Sequence, residues 1–362
     1  MSTDNPHGPA PEPGTGAVAR TPVPLKQPVR ILAVDGGGVG GIMPVRLIER
    51  LAVDHPGLLE KTDILAGTST GGLIALGLGT GLTPTELGAI YQTWIPQIFS
   101  RANQRLWPFS LLRAKFRPSG LRRAATAIAG TRTLGQLGKA VVIPVLALER
   151  PQPPPPLPSR HFPAGIFLST AHRLVHNPAR AKYHADSWPC VDVALATSAA
   201  PTYFPAHRVN SEVLGRWRFW DGGLVANNPA MVAVGEVTRV SGQQRPDVRV
   251  LSLGTGYQDT LMRAADWGQA RLPIPQYIIS AQLDASVGST AFLMRQLFGR
   301  HVIRVSVPLT GKDGFEMDDP HCVDRLIVRT DHYYTEVVQK SRQVIQPDGT
   351  TEDLIAWLRA NW

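Results

Sequence analysis

Ser69 is the residue in this chain most plainly built to do chemistry. It lies in Gly67-Thr68-Ser69-Thr70-Gly71, a G-x-S-x-G pattern delivered by the apolar run that starts at Ile64. Such a pattern puts a serine on a sharp strand-to-helix turn with its hydroxyl outward, and glycines where side chains would collide. The helix start behind it offers unpaired N–H groups and a positive dipole end to developing negative charge. A serine hydroxyl is a weak nucleophile until a base takes its proton. Downstream there are two kinds of base: Asp221, in Asp221-Gly222-Gly223, and the histidines His301, His321 and His332. None of the histidines sits in a glycine-bounded loop, and if none serves, Asp221 must deprotonate Ser69 in a two-residue dyad. A second glycine turn, Asp35-Gly36-Gly37-Gly38-Val39-Gly40-Gly41, follows a strand and precedes a helix. Consecutive glycine N–H groups there suit the oxyanion of a tetrahedral intermediate. Gly36, Gly38 and Gly41 also satisfy G-x-G-x-x-G, with Asp54 or Asp63 as the acidic partner, so a nucleotide-binding protein using Gly36–Gly41 is an alternative.

The elements that must position these groups are legible as apolar runs. Residues 29–34, 63–69, 140–148, 166–169, 248–253 and 301–307 read as strands, with 216–220 an aromatic-rich strand before Asp221. Helices are expected at 43–51, after Ser69, through the region out to about 128, and at 191–199, 278–298 and 352–362. Strands that are apolar throughout, alternating with helices, indicate a parallel or mostly parallel α/β sheet. Residues 1–28, rich in Pro, Gly, Thr and Ala, are expected to be disordered. Residues 29–362 then form one domain, interrupted by a proline-rich surface loop at 150–160.

Composition narrows the class. Charged residues are 18% and hydrophobic ones 43% of 362 residues, an ordinary globular balance. Cys190 and Cys322 cannot make a disulfide framework and lie in no metal-ligand spacing. No secretory signal is visible, and the uncharged stretch 64–85 is broken by the Gly67–Gly72 turn, which reads as strand, elbow and buried helix. A soluble, cytoplasmic protein is expected. The net charge of +9 is concentrated: no Asp or Glu lies between Glu86 and Glu149, a stretch holding nine Lys and Arg residues. Trp94, Phe99, Trp107, Phe109 and Phe116 are interleaved with them. Basic residues among aromatics suit an anionic surface, and with no nucleic-acid motif present a membrane outranks nucleic acid.

Taken together and in this order, Asp35-Gly-Gly-Gly, Gly67-Thr-Ser-Thr-Gly and Asp221-Gly-Gly resemble the patatin-like phospholipases. Ala196-Thr-Ser-Ala-Ala-Pro-Thr-Tyr-Phe-Pro, Asn227-Asn228-Pro229 and Leu251-Ser-Leu-Gly-Thr-Gly are similar to the same family, and the resemblance spans about residues 29–310. It implies an α/β three-layer sandwich around a central, mostly parallel sheet. It implies a lipid acyl hydrolase with a Ser69–Asp221 dyad and no histidine, working through an acyl-serine. It implies an oxyanion hole at Gly37 and Gly38, with Gly36, Gly41, Gly67, Gly71, Gly222 and Gly223 supporting the motifs, and no metal or cofactor. The substrate would be membrane phospholipid or another acyl-ester lipid, met peripherally through the basic-aromatic stretch 94–123. A ligand-activated phospholipase effector in a bacterial signalling or defence system is a further reading. One position departs from the family: Gly40 stands where a basic residue is usual.

Overall fold

The apolar runs at residues 29–34, 64–67, 140–149, 248–253 and 302–305 become the parallel centre of one mixed sheet. The structure, a computed structural model, describes residues 25, 28–104, 114–149, 165–175, 185–212, 214–258, 274–309, 314–341 and 343–362. Most of the expected disordered N-terminal segment and the proline-rich loop lie outside these residues. The strands are β1 (Val29–Val34), β2 (Ile64–Gly67), β3 (Ala140–Glu149), β4 (Gly165–Ser169), β5 (His207–Ser211), β6 (Gly215–Trp220), β7 (Val248–Leu253), β8 (Tyr257–Gln258), β9 (Val302–Val305) and β10 (Pro308–Leu309). The main sheet runs β5-β6-β3-β2-β1-β7-β9, with β4 attached to β3, while β8 and β10 pair separately. Neighbours from β3 to β9 are parallel. β4 and β6 run antiparallel to β3, and β5 antiparallel to β6.

Alternate residues of the parallel strands enter two separate cores. Leu32, Val34, Leu65, Val141, Ile143 and Leu251 belong to one. Ile31, Ala33, Ile64, Ala66, Val142 and Val250 belong to the other. Both faces are therefore covered, which is why these strands carry no polar alternation. The first core holds helices α1 (Ile42–Asp54), α3 (Thr70–Gly79), α4 (Pro84–Ile98), α5 (Ser119–Ala129) and α6 (Cys190–Thr197), with the four-residue α2 (Leu58–Lys61) beside α1. Helix α7 (Gly223–Ala226) is a single turn; α8 (Ala230–Ser241) and the C-terminal part of α9 (Ile274–Phe298) cover the second core. The result is the expected three-layer arrangement.

Every residue of α3 is buried, as a helix with no charged residue and apolar side chains all round requires. The uncharged stretch 64–85 is thus strand, elbow and buried helix, and no described helix is long and apolar enough to cross a membrane. Helix α4 begins at a Thr83–Glu86 capping box, in which each side chain takes up a backbone N–H of the other's residue.

The final helix expected at 352–362 forms, and the elements ahead of it are not foreseen from the sequence. The chain forms α10 (Val323–Tyr333), then a hairpin of β11 (Gln343–Ile345) and β12 (Thr351–Asp353), and only then α11 (Leu354–Asn361). Pro347-Asp348-Gly349 makes the hairpin turn, with Gly349 at φ +80. Asp353 closes the strand and caps the helix, accepting the Ala356 N–H at 2.9 Å.

Candidate active site

The elbow has the expected geometry. Ser69 follows β2 at φ +53, one of two described non-glycine residues with positive φ, and is the N-cap of α3. A serine held there stores on the order of 1–3 kcal/mol of strain, tolerated where surrounding packing over-determines it. The packing is visible at the flanking glycines: a Cβ at Gly67 would stand 2.0 Å from the Gly71 carbonyl, and one at Gly71 would stand 2.2 Å from the Val34 carbonyl. Thr197, at the end of α6, accepts the Ser69 N–H at 3.0 Å and donates to the Pro144 carbonyl at 2.8 Å, so it pins the elbow to β3.

Asp221 arrives from the opposite direction. Because β6 runs antiparallel to β3, the chain travels back along the sheet and ends level with the elbow, Trp220 opposite Leu146. The next two residues are anchored, Asp221 N–H to the Ala199 carbonyl and Gly222 N–H to that of Thr197. Gly222 is tight, since a Cβ would meet the Pro144 carbonyl at 2.1 Å. The Gly223 N–H donates to Asp221 Oδ1 at 2.7 Å. Asp221 is 5% exposed. Burial pushes its carboxyl up to about 7, while hydrogen bonds from Gly223 and from the Ser69 side chain pull the other way. A carboxyl so placed changes charge near neutral pH, as a general base needs.

The glycine turn after β1 faces the same space. Gly36 N–H is held by the Asn227 carbonyl, Val39 N–H by that of Met317, and Gly40 N–H by that of Gly37. The N–H groups of Gly37 and Gly38 have no acceptor among the described residues. Two free donors suit a single oxyanion; a pyrophosphate cradle would need those that Val39 and Gly40 have already committed. Gly38 has φ +55, and a Cβ on it would strike the Met317 carbonyl at 2.2 Å. Gly41 packs on Thr70 and Gly36 on Asn227. Behind the turn Asp35, 1% exposed, pairs with Arg304 from β9 at 2.5 Å, and Arg304 also donates to Ser252. Burial raises the Asp35 carboxyl, with Arg304 opposing it.

Gly37, Gly38, Ser69 and Asp221 line one cavity that opens to the surface. The rest of its wall is mostly apolar, with Leu73 of α3, Ile90 and Trp94 of α4, Leu121 and Ile128 of α5 and Leu283 of α9, and with Thr70, Ser198 and Asn227 as polar exceptions. His301, His321 and His332 are absent from this lining. Among the described residues no group of three His, Cys, Asp or Glu side chains converges. Cys190 and Cys322 are buried, unpaired thiols pushed up to about 12 and 11 by burial.

The aromatics of the basic stretch turn inward. Phe116 is 2% exposed, Phe99 stacks edge-on to it with centroids 5.3 Å apart, and Trp94 and Phe99 line the cavity. Trp107 and Phe109 lie outside the described residues. What faces outward is Arg101, Arg117, Arg122 and Arg123, the last lying over the Trp94 ring at 5.8 Å.

The family model for patatin-like phospholipase matches residues 32–234, more than half of the chain, and takes in the glycine turn, the elbow and Asp221. This chain belongs to the patatin-like phospholipase family. A protein of Pseudomonas aeruginosa named cGAMP-activated phospholipase is 30% identical over 301 residues, 80% of this chain and 82% of the relative. A Vibrio cholerae protein of the same name is 32% identical over 253 residues, 64% and 65% of the two chains. Patatin-like protein 2 of Arabidopsis thaliana is 32% identical over 293 residues, 71% and 64%. The matched region spans just under two thirds of the length of the Vibrio and Arabidopsis proteins.

For a patatin-like phospholipase, Gly40 is the unusual residue, and its surroundings explain it. A Cβ there would stand 2.7 Å from both the Phe315 ring and the Thr255 carbonyl. The space a basic side chain would leave by is filled from the C-terminal third. Gly40→Ala is therefore expected to lower stability, by about 1–3 kcal/mol as overpacking usually does. Thermal unfolding checks this; an unchanged midpoint would show that Phe315 yields freely. Thr197, Asn227, Arg304 and Met317 are site residues that spacing alone does not reveal. Thr197 and Asn227 do fall within the family-like stretches 196–205 and 227–229.

Proposed function

We propose that this chain is a lipid acyl hydrolase in which Ser69 is the nucleophile, Asp221 the general base, and the Gly37 and Gly38 N–H groups the oxyanion hole. The observation that carries the reading is the convergence, on one mostly apolar cavity, of a strained serine, a buried carboxyl near neutral pKa and two N–H groups with no acceptor among the described residues. Asp221 takes the Ser69 proton as Oγ attacks the ester carbonyl, and the carbonyl oxygen becomes an anion at the two amides. The intermediate collapses as Asp221 returns the proton to the departing alcohol or lysolipid oxygen, leaving an acyl-serine. Asp221 then deprotonates a water that attacks the acyl carbon; fatty acid leaves and the proton goes back to Ser69 Oγ. The apolar walls accommodate an acyl chain. Digestion of a lipid extract with mass spectrometry of the products tests the reading: free fatty acid and lysolipid should appear, and their absence counts against it.

The exposed arginines on and beside α5, whose inner face lines the cavity, favour approach to an anionic bilayer. Each basic residue near such a surface is worth about 1 kcal/mol and is screened by salt. Binding to vesicles containing phosphatidylglycerol should weaken at least about tenfold between low and high salt, by that arithmetic for three to four charges. Salt-independent sedimentation would point to apolar insertion instead. The names of the Pseudomonas and Vibrio relatives favour a second reading, hydrolysis switched on by cGAMP. Vesicle turnover that begins only when cGAMP is added would support the switch, and full turnover without it would remove it.

A further inference from the structure

Thr255 follows β7 in Leu251-Ser252-Leu253-Gly254-Thr255-Gly256 and touches the glycine turn at three points. Its hydroxyl donates to the Gly36 carbonyl at 2.8 Å. The same oxygen lies 2.1 Å from where a Cβ on Gly37 would be, and its carbonyl closes the space at Gly40. The residue is 8% exposed.

The consequence follows from peptide geometry. In a planar trans peptide the C=O of one residue and the N–H of the next point in opposite directions. A hydroxyl that grips the Gly36 carbonyl therefore aims the Gly37 N–H the other way, and Gly37 lines the cavity. The Gly37 carbonyl is gripped likewise by the Gly40 N–H at 3.0 Å, which aims the Gly38 N–H. A peptide between two glycines has no Cβ on either side to resist rotation. The restraint must come from hydrogen bonds, and at the 36–37 peptide the carbonyl restraint is a side chain.

We propose that Thr255 is a positioning residue of the oxyanion site: its hydroxyl sets the Gly36–Gly37 peptide so that the Gly37 N–H meets the developing negative charge. This rests on the acyl-hydrolase reading. Thr255 does not touch the reacting atoms, so its effect falls on transition-state stabilisation and not on substrate affinity.

Thr255→Val keeps the γ-methyl and the shape but removes the donor. With a nitrophenyl ester, kcat should fall about 10- to 100-fold, the range for a misaimed oxyanion donor, while KM stays within about threefold. Thr255→Ser, which keeps the hydroxyl, should retain most of kcat. A trifluoromethyl ketone inhibitor, whose serine adduct carries the oxyanion, should weaken in parallel with kcat. If Thr255→Val keeps kcat within twofold, or if Ser loses as much as Val, or if the loss falls in KM, the positioning role is overturned. Should Thr255→Val fail to fold, Thr255→Ala against Thr255→Ser is judged by the same ratio. A wild type with no turnover removable by Ser69→Ala overturns the hydrolase reading itself. A Ser69-dependent wild type with an indifferent Thr255→Val overturns only this inference.

Discussion

Ser69→Ala is expected to lower ester hydrolysis by at least about 10⁴-fold, the scale on which removal of a serine nucleophile acts, while the protein remains folded. Labelling by a fluorophosphonate probe should vanish with it. The strained backbone adds a test that no ordinary surface serine would pass. At φ +53, Ser69→Gly should be as inactive as the alanine variant yet more stable than wild type, by on the order of 1 kcal/mol. The two readouts move in opposite directions because the elbow exchanges local stability for a hydroxyl held in the cavity beside Asp221. Turnover surviving in Ser69→Ala would sink the mechanism.

Asp221→Asn should also abolish turnover, and pH separates its role from a structural one. Burial holds the carboxyl at about 7, against an ordinary 3.8. Proton abstraction needs the ionised form, so kcat/KM should rise about tenfold per unit of pH below 7 and level off above it. Stability runs the other way. The fold favours the protonated carboxyl, so its contribution is full below pH 3.8 and is lost as pH rises through about 7. The asparagine variant never pays that charge-burial cost. It should therefore be more stable than wild type at pH 8, by on the order of 2–4 kcal/mol, and the advantage should vanish near pH 4. Calorimetry at the two pH values decides it. A variant less stable than wild type at pH 8 would place Asp221 in a favourable charged environment and remove the reason for its raised pKa.

The parallel centre of the sheet is legible because a strand covered on both faces has no polar positions to confuse the pattern. Residues 29–34, 140–148 and 248–253 show it within a residue or two. The elbow is legible for a related reason: a Cβ on Gly67 or Gly71 would run into backbone, so nothing larger fits. The partner of Ser69 is harder, because it depends on β6 turning back along β3, and spacing does not encode a strand's direction. The basic-aromatic stretch shows the limit of composition. Phe116, Phe99 and Trp94 are interleaved with arginines along the chain, yet Trp94 and Phe99 line the cavity and Phe116 is buried against Phe99, while the arginines stay outside. Thr255 and Met317 reach the glycine turn from more than 200 residues away, through the order of strands and the path of a loop.

The groups proposed to react, Ser69 and Asp221, come from the first two thirds of the chain. Much of what steadies the glycine turn comes from the last third: the Thr255 hydroxyl, the Arg304 guanidinium and the Met317 carbonyl. Reaction and accuracy are thus inherited separately. A descendant of this chain could keep its nucleophile and base unaltered and still drift from fast to slow, through changes confined to residues beyond 250.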